Sequence, residues 1–377
     1  MALLEYANRT VPQLMKKSVH SFFASDPLLK KLLDANQVKR SGGSSIKLVR
    51  IKSGHSDLTE ISSTNISVPL VKKETFGSLT GDWGRYIKPM IIPHVDRDRA
   101  ADPAEAKRLV QDTVAAVMTD AKNRVMKQIY IGNESGLKAL GSLNGGRDDD
   151  NVAGGSLVGG FSTGTSTGLE NGALVFDSPT LQAGTSATYL GQARVNGAGD
   201  GNDNWFNQFV AADIGSNYVE GMEEAKLLAD SYSDDPNGIT LAICSNTSLV
   251  QIGAEARSYP GGAGTSASAI VYTTDDIDKG RVHSHLSVIG GVAHYGNRFM
   301  TDALMDTGSG TAHSEHVYLL NPSGIEWWVN ANNNFRTTEF YDGLKTSNVD
   351  ADIAYCILEC QFVVTNLMIQ ACTAKTS

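Results

Sequence analysis

The chain has 377 residues, of which 41% are hydrophobic and 19% are charged, and its formal net charge at pH 7 is −9. This balance is typical of a globular protein and excludes a chain that is disordered throughout. No stretch approaches the ~18 consecutive apolar residues of a membrane-spanning helix, and no signal peptide is recognisable, so we expect a protein made and used in a cytoplasm, without membrane contact.

The charges are unevenly distributed along the chain. Residues 1–99 contain 16 Lys and Arg against 9 Asp and Glu, whereas the remaining residues contain 16 against 32. Such asymmetry indicates either an arm that binds nucleic acid or a basic arm that docks on an acidic body. Because no dense cluster of Lys and Arg is interleaved with aromatic residues, the second interpretation is favoured.

The first predicted elements are two amphipathic helices within residues 11–36. Asp26 followed by Pro27 predicts the N-cap and first position of the second helix. Two short helices cannot bury their apolar faces alone, so they need a surface, either on another subunit or on their own domain. The cations of this region that are candidates for contacts between subunits are Lys16, Lys17, Lys30 and Lys31.

A basic hairpin is predicted next. Residues 45–52 mix β-branched and basic residues, as an exposed strand does, and residues 83–93 are predicted to form the return strand. Pro89 and Pro93 favour an edge position, because proline cannot donate to a sheet ladder. An isolated two-stranded hairpin is marginal in water, so we expect a neighbouring subunit to support this one.

The clearest element is a helix over residues 102–131. Asp102 and Pro103 mark its start, and apolar residues then recur every three or four positions up to Ile129. At ~1.5 Å per residue, the helix would be a rod of ~45 Å.

The remaining chain predicts a mixed α/β body and a strand-rich C-terminus. Residues 204–230 have a helical pattern, and a second helix is expected from Asn246 to about residue 257. Strands are predicted at 239–244, 270–272, 285–289, 317–320, 325–329 and within 335–373.

No motif predicts catalysis, a cofactor or a metal. Two overlapping G-x-S-x-G matches at 160–168 lack the strand and helix that a hydrolase nucleophile needs. His313 and His316 could hold a metal only if a loop brought them together, and packed or solvated histidines are the favoured interpretation. The four cysteines are expected to be free, buried, small hydrophobic residues: Cys244, Cys356, Cys360 and Cys372.

The order of these elements resembles the Hong Kong-type fold of tailed-bacteriophage major capsid proteins, which is an α+β fold. The resemblance implies an N-terminal arm at 1–40, an extended loop at 41–99, and the first part of a peripheral domain at 100–174, with the spine helix at 102–131. It further implies an axial domain at 175–330 and the C-terminal strands of the peripheral domain at 331–377.

This resemblance implies a structural protein that forms pentamers and hexamers and then an icosahedral head around double-stranded DNA. The protein would be part of the virion after assembly in a host cytoplasm. Separate scaffolding, portal and decoration proteins are possible partners, no cofactor is implied, and contact with packaged DNA would be weak and non-specific. The extended loop would lie over a neighbour, with its basic residues as candidate partners for acidic patches there: Lys72, Lys73, Arg85 and Lys88.

Three other interpretations remain open at this point. The first is an encapsulin-type compartment that has the same fold and a different cargo. The second is an α/β enzyme with an N-terminal regulatory arm, and the third is a binding or adhesion module with loops rich in Gly and Ser.

Overall fold

The computed structural model of the chain contains two six-stranded sheets with helices packed on them. It describes residues 11, 13–14, 26–51, 76–99, 103–131, 174, 188–189, 192–193, 205–235, 237–258, 286–300, 316–347 and 349–374. Helices accompany mixed sheets in which most strand pairs are antiparallel, which confirms the predicted α+β class.

The helices are α1 (Pro27–Asp34), α2 (His94–Arg99), α3 (Pro103–Ile131), α4 (Tyr218–Asp230), α5 (Asn246–Ser258) and α6 (Gly343–Ser347). The strands are β1 (Val38–Ser41), β2 (Ser45–Ile51), β3 (Phe76–Asp82), β4 (Gly84–Pro93), β5 (Thr188–Tyr189), β6 (Gln192–Ala193), β7 (Gln208–Ala211), β8 (Leu241–Ser245), β9 (Leu286–Ile289), β10 (Val292–Asn297), β11 (Val317–Leu320), β12 (Ile325–Asn330), β13 (Arg336–Thr337), β14 (Tyr341–Asp342), β15 (Ala351–Val364) and β16 (Ala371–Ala374).

The first sheet is organised around β15, its longest strand. One edge of β15 pairs with β12, β13 and β14 in turn, and its other edge pairs with β4 over ten residues. Strand β1 adds to β12 in parallel, so the N-terminal and C-terminal parts of the chain meet in one sheet.

Helices α1 and α3 contribute to the core beside this sheet. Val114, Val117 and Val125 of α3 are buried in the same apolar cluster as Met90 of β4 and Phe362 of β15. Helix α3 has 29 residues, so at ~1.5 Å per residue it is about 44 Å long. The predicted valine stripe is therefore the face of the helix that packs on the core.

Helix α1 is fixed to α3 by a buried carboxylate. Asp26 is the N-cap of α1, and its side chain accepts hydrogen bonds from the backbone N–H groups of Leu28 and Leu29, at 3.0 and 3.3 Å. The Tyr130 hydroxyl of α3 donates to the same oxygen at 2.8 Å. The predicted cap is confirmed. Of the two surfaces considered for α1, another subunit or its own domain, the helix packs on its own domain.

The second sheet has the order β7-β16-β11-β8-β10-β9. One face packs under α4 and α5 through Ala242, Val317 and Leu319. The opposite face contributes Leu241 and Tyr318 to the core shared with α3. Its central strands are therefore buried on both sides, as in the runs Leu241–Ser245 and Val317–Leu320.

Two sequence predictions are wrong. The strand that returns beside β2 is β3 and not residues 83–93, because β4 pairs instead with the long edge of β15. Residues 204–217 are not helical throughout, because Gln208–Ala211 pairs in parallel with β16 and the helix begins only at Tyr218.

The other predicted elements within the described residues are confirmed. These are the helix near 102–131, the helix from Asn246, the strands at 285–289, 317–320 and 325–329, the strand near 239–244, which begins two residues later than predicted, and the C-terminal strands. The predicted strand at 270–272 lies outside the described residues. The division into N-terminal arm, extended loop, peripheral domain and axial domain stays a prediction.

Within the described part of the chain, no helix is both long and apolar enough to span a bilayer.

Candidate assembly surface

A ribbon of two strands belongs to neither six-stranded sheet. Strands β2 and β3 pair with each other from Ser45 opposite Asp82 to Ile51 opposite Phe76. The indole N–H of Trp83 donates to the carbonyl oxygen of Gly43 at 3.0 Å and so fixes the base of the ribbon. Among the described residues, each of these strands has its ladder partner in the other, so we call this pair the β2–β3 ribbon.

Strand β4 continues from the ribbon after a single residue and forms an edge of the first sheet. The His94 N–H donates to the Asp350 carbonyl oxygen at 3.2 Å. Hydrogen-bonded positions alternate along an antiparallel strand, so the even-numbered residues of β4 point their N–H and C=O groups towards β15. Pro89 and Pro93 occupy odd-numbered positions, where the backbone faces away from β15. The predicted edge position of the two prolines is confirmed, and the absence of an N–H group at each limits strand addition to this edge.

The side chains of β4 alternate between two environments. Met90 and Ile92 are buried in the core. The odd-numbered residues are all exposed, and Ile87 and Ile91 leave 53% and 48% of their area open to solvent. Exposed apolar side chains in a row on one strand are unusual for an isolated subunit and indicate a contact surface.

A groove of about 450 Å³ lies between β4, α3 and β15. Its apolar lining includes Val117, Phe335 and Leu358, which are buried beneath it. Phe335 has a backbone φ of 51°, a left-handed conformation that is uncommon for a bulky residue. We call this feature the β4–α3 groove.

Charged side chains border the groove. Lys88 Nζ lies 2.5 Å from Asp120 of α3, and Arg85 Nε lies 3.2 Å from Glu359 of β15. Arg124 of α3 also lines the groove. Lys88 and Asp120 are both about half exposed, and Arg85 is exposed beside the less exposed Glu359. Each pair contributes only ~0–1 kcal/mol to the subunit, and both cations stay accessible.

Tyr86 marks the buried side of the groove. Its hydroxyl donates to the Gln128 side-chain oxygen on α3. Burial raises the pKa of Tyr86 well above its usual range, so the phenol is neutral and acts as a hydrogen-bond donor. The bond links the edge strand to the long helix below it.

Only two of the predicted contact residues are brought together. Arg85 and Lys88 meet at the β4–α3 groove. Lys30 and Lys31 lie on α1, where Lys31 is exposed and Lys30 half-buried. Lys16, Lys17, Lys72 and Lys73 lie outside the described residues. The contact of these eight residues with a neighbouring subunit stays a prediction.

Sequence reasoning missed a cluster around His94, at the end of β4. Its Nδ1 lies 2.6 Å from Asp350 Oδ1 and its Nε2 lies 3.3 Å from Asp352 Oδ1, while Asp342 is 3.8 Å away. The two nearer carboxylates lie on opposite sides of the ring, so they tie the strand end to β15 and do not converge on one ion. The partners are over 240 positions from His94, so no local signal could have found them.

The remaining polar candidates are the four cysteines and two histidines. All four cysteines are free and buried, as predicted, and burial raises the pKa of Cys356 to about 12. His316 is buried and His313 lies outside the described residues. In the described segments, no group of three His, Cys, Asp or Glu residues is placed to hold a metal ion.

No protein-family model matches the sequence, and none of the curated proteins matches it. Several solved structures are similar to the chain. The SrpI encapsulin of Synechococcus elongatus is 10% identical, and the similarity covers 93% of this chain and 87% of the encapsulin with a TM-score of 0.48. The capsid of the empty GTA particle is also 10% identical, and the similarity covers 92% of this chain and 96% of the capsid chain with a TM-score of 0.48.

The capsid of cyanophage A-1(L) is 10% identical, with 90% of each chain covered and a TM-score of 0.46. These structures are of the two kinds of assembly, capsid and encapsulin, that the sequence interpretation named.

Proposed function

We propose that this chain is the subunit of a closed protein shell: the major capsid protein of an icosahedral phage head that encloses double-stranded DNA. Subunits would form pentamers and hexamers in a host cytoplasm, and these would close into the head. The chain would act by binding copies of itself and would carry out no chemical reaction.

The observation that carries the proposal is the β2–β3 ribbon. A pair of seven-residue strands outside both main sheets is marginally stable by itself, since three or more strands or a packed helix are normally required. A neighbouring copy would supply the missing support. The exposed Lys47 on β2 would then face an acidic surface of that copy.

The exposed row of β4 supports the same proposal. It continues from the ribbon, so a neighbour that supports the ribbon would also reach Ile87 and Ile91. Burying such side chains stabilises an interface by about 25 cal/mol for each Å² of apolar area removed from water. Such a contact would be repeated in every copy of a ring whose rotation closes.

The test is to express the chain alone and measure particle mass by light scattering, with negative-stain images of the same sample. Rings of five or six subunits, or megadalton shells, are the expected result. A monomer or dimer that persists at all salt and protein concentrations would refute a shell function. DNA protected from nuclease in shells purified from the native source would favour a phage head over a cargo compartment.

A further inference from the structure

We infer that the exposed face of α4 of one copy docks in the β4–α3 groove of a second copy, an inference that rests on the proposed shell function. The groove would therefore be occupied by a second copy of this chain. This docking also accounts for two surfaces at once, since each presents apolar side chains in the part of the chain that the structure describes.

Helix α4 presents two different faces. Tyr218, Met222 and Ala225 are buried against the second sheet. The opposite face exposes 72% of Leu227 and 42% of Leu228. Leu227 buries little of its area among the described residues, and exposed apolar side chains bordered by charges are typical of an interaction site.

The outer face of α4 is acidic as well as apolar. Glu220, Glu223 and Glu224 are all exposed on it, and the half-buried Lys226 is directed to the Gly290 carbonyl oxygen at 3.4 Å. Glu220, Glu224 and Leu227 follow at intervals of four and three residues, so they form one line along the helix. This is the anchor spacing that a helix uses when it lies in a groove.

The β4–α3 groove has the complementary chemistry. Three cations line it, Arg85, Lys88 and Arg124, together with the carboxylate of Asp120, and Glu359 lies beside Arg85. Its lining includes buried apolar side chains. Its volume of about 450 Å³ lies within the ~300–1,000 Å³ typical of binding pockets and leaves room for the two leucine side chains.

The two surfaces lie on different parts of the fold, the groove on the first sheet and α4 on the second. One subunit can therefore use both at the same time, with two different neighbours. A contact of this heterologous kind generates a ring when its rotation closes, which a pentamer or hexamer requires. The acidic face would meet Arg85 and Lys88 while Leu227 enters the groove.

The first test replaces Leu227 by Asp in the full chain, with Val250→Asp on α5 as the matched control. Leu227 and Val250 are 72% and 70% exposed, so both variants should fold with unchanged circular dichroism and thermal midpoint. We expect Leu227→Asp to raise the concentration needed for ring or shell formation by about tenfold or more, as for an interface hot spot. Val250→Asp should leave that concentration unchanged within about twofold.

The second test exchanges charges across the contact. Lys88→Glu should weaken assembly, and adding Glu224→Lys to the same chain should restore most of the loss. If Leu227→Asp assembles as Val250→Asp does, or if the second charge change gives no recovery, the inference is wrong while the shell function stands. A wild-type chain that never assembles overturns both.

Discussion

The two sheets of this molecule differ in how much of their surface the chain itself covers. The second sheet has α4 and α5 on one face and the shared core on the other, and its strands β8, β11 and β16 are buried throughout. The first sheet has α1 and α3 on its core side, but its edge strand β4 leaves a row of side chains exposed. This strand also adjoins the β2–β3 ribbon, which pairs with neither large sheet in the described part of the chain.

This difference separates folding from assembly. Substitutions in the second sheet, or on the covered side of the first, should change the free energy of unfolding of the subunit. Substitutions on the ribbon, the β4 row or the groove should change assembly and leave subunit stability almost unchanged. The predictions below test this separation on dissociated subunits unfolded in urea.

The largest of these effects is expected for Asp26→Ala on the covered side of the first sheet. The variant loses the cap of α1 and leaves the buried Tyr130 hydroxyl without its acceptor. Loss of a cap and of a buried hydrogen bond should lower the free energy of unfolding by about 2 kcal/mol. A change below about 0.5 kcal/mol would mean that α1 is not part of the folded subunit.

The same carboxylate gives a pH dependence. Burial raises the pKa of Asp26, although bonds from Tyr130, Leu29 and Leu28 and the charge of Lys122 each lower it. A folded-state pKa above the unfolded one stabilises the fold below the ordinary carboxyl pKa, and this contribution is lost as pH rises through the raised value. Asp26→Asn keeps an acceptor oxygen, so we expect it to remove this loss when urea midpoints are compared across pH.

A smaller effect is expected at two glycines in the helices that pack on the second sheet. A Cβ on Gly221 of α4 would lie 2.5 Å from the Ala212 Cβ, whereas a Cβ on Gly253 of α5 would have no described atom within 4 Å. Gly253→Ala should stabilise the subunit by about 0.5–1 kcal/mol through helix propensity. Gly221→Ala should destabilise it by about 1 kcal/mol, because α4 must move from β7. Equal effects in the urea titration would show that α4 does not pack as closely as described.

The smallest effect on folding is expected for Arg85→Ala on the exposed side. The Arg85 side chain is 57% exposed, and the less exposed Glu359 keeps the hydrogen bond that Asn330 donates to it, so the free energy of unfolding should change by about 0.5 kcal/mol or less. Ring formation, measured by light scattering, should weaken in the same variant. A loss of subunit stability of about 2 kcal/mol with normal assembly would mean that Arg85 contributes to folding and not to assembly.

Local patterns predicted the elements whose partners lie close in the chain or whose periodicity is strong. The valine stripe of α3, the Asp26 cap and the apolar runs of β8, β11 and β12 are such cases. The α+β class followed from their order. Buried cysteines were also predictable, because their neighbours on β15 are apolar.

The errors arose where distant pairing overrides local composition. Phe76–Asp82 contains Gly, Ser and Thr and has little strand character, yet it pairs with β2 over seven residues. Trp205, Phe206 and Phe209 have helical spacing. Residues Gln208–Ala211 nevertheless form a strand, because they pair with β16, which lies over 160 positions away. The groove joins β4, α3 and β15, and no segment alone encodes it.

The most direct measurement of the central claim removes most of the ribbon while keeping its base. Residues 47–80 are replaced by two glycines, which join Ile46 to Gly81, its partner in the ladder. The account predicts a subunit whose urea midpoint matches the wild type and which no longer forms rings or shells. A truncated chain that unfolds as a subunit, or one that assembles normally, would contradict it.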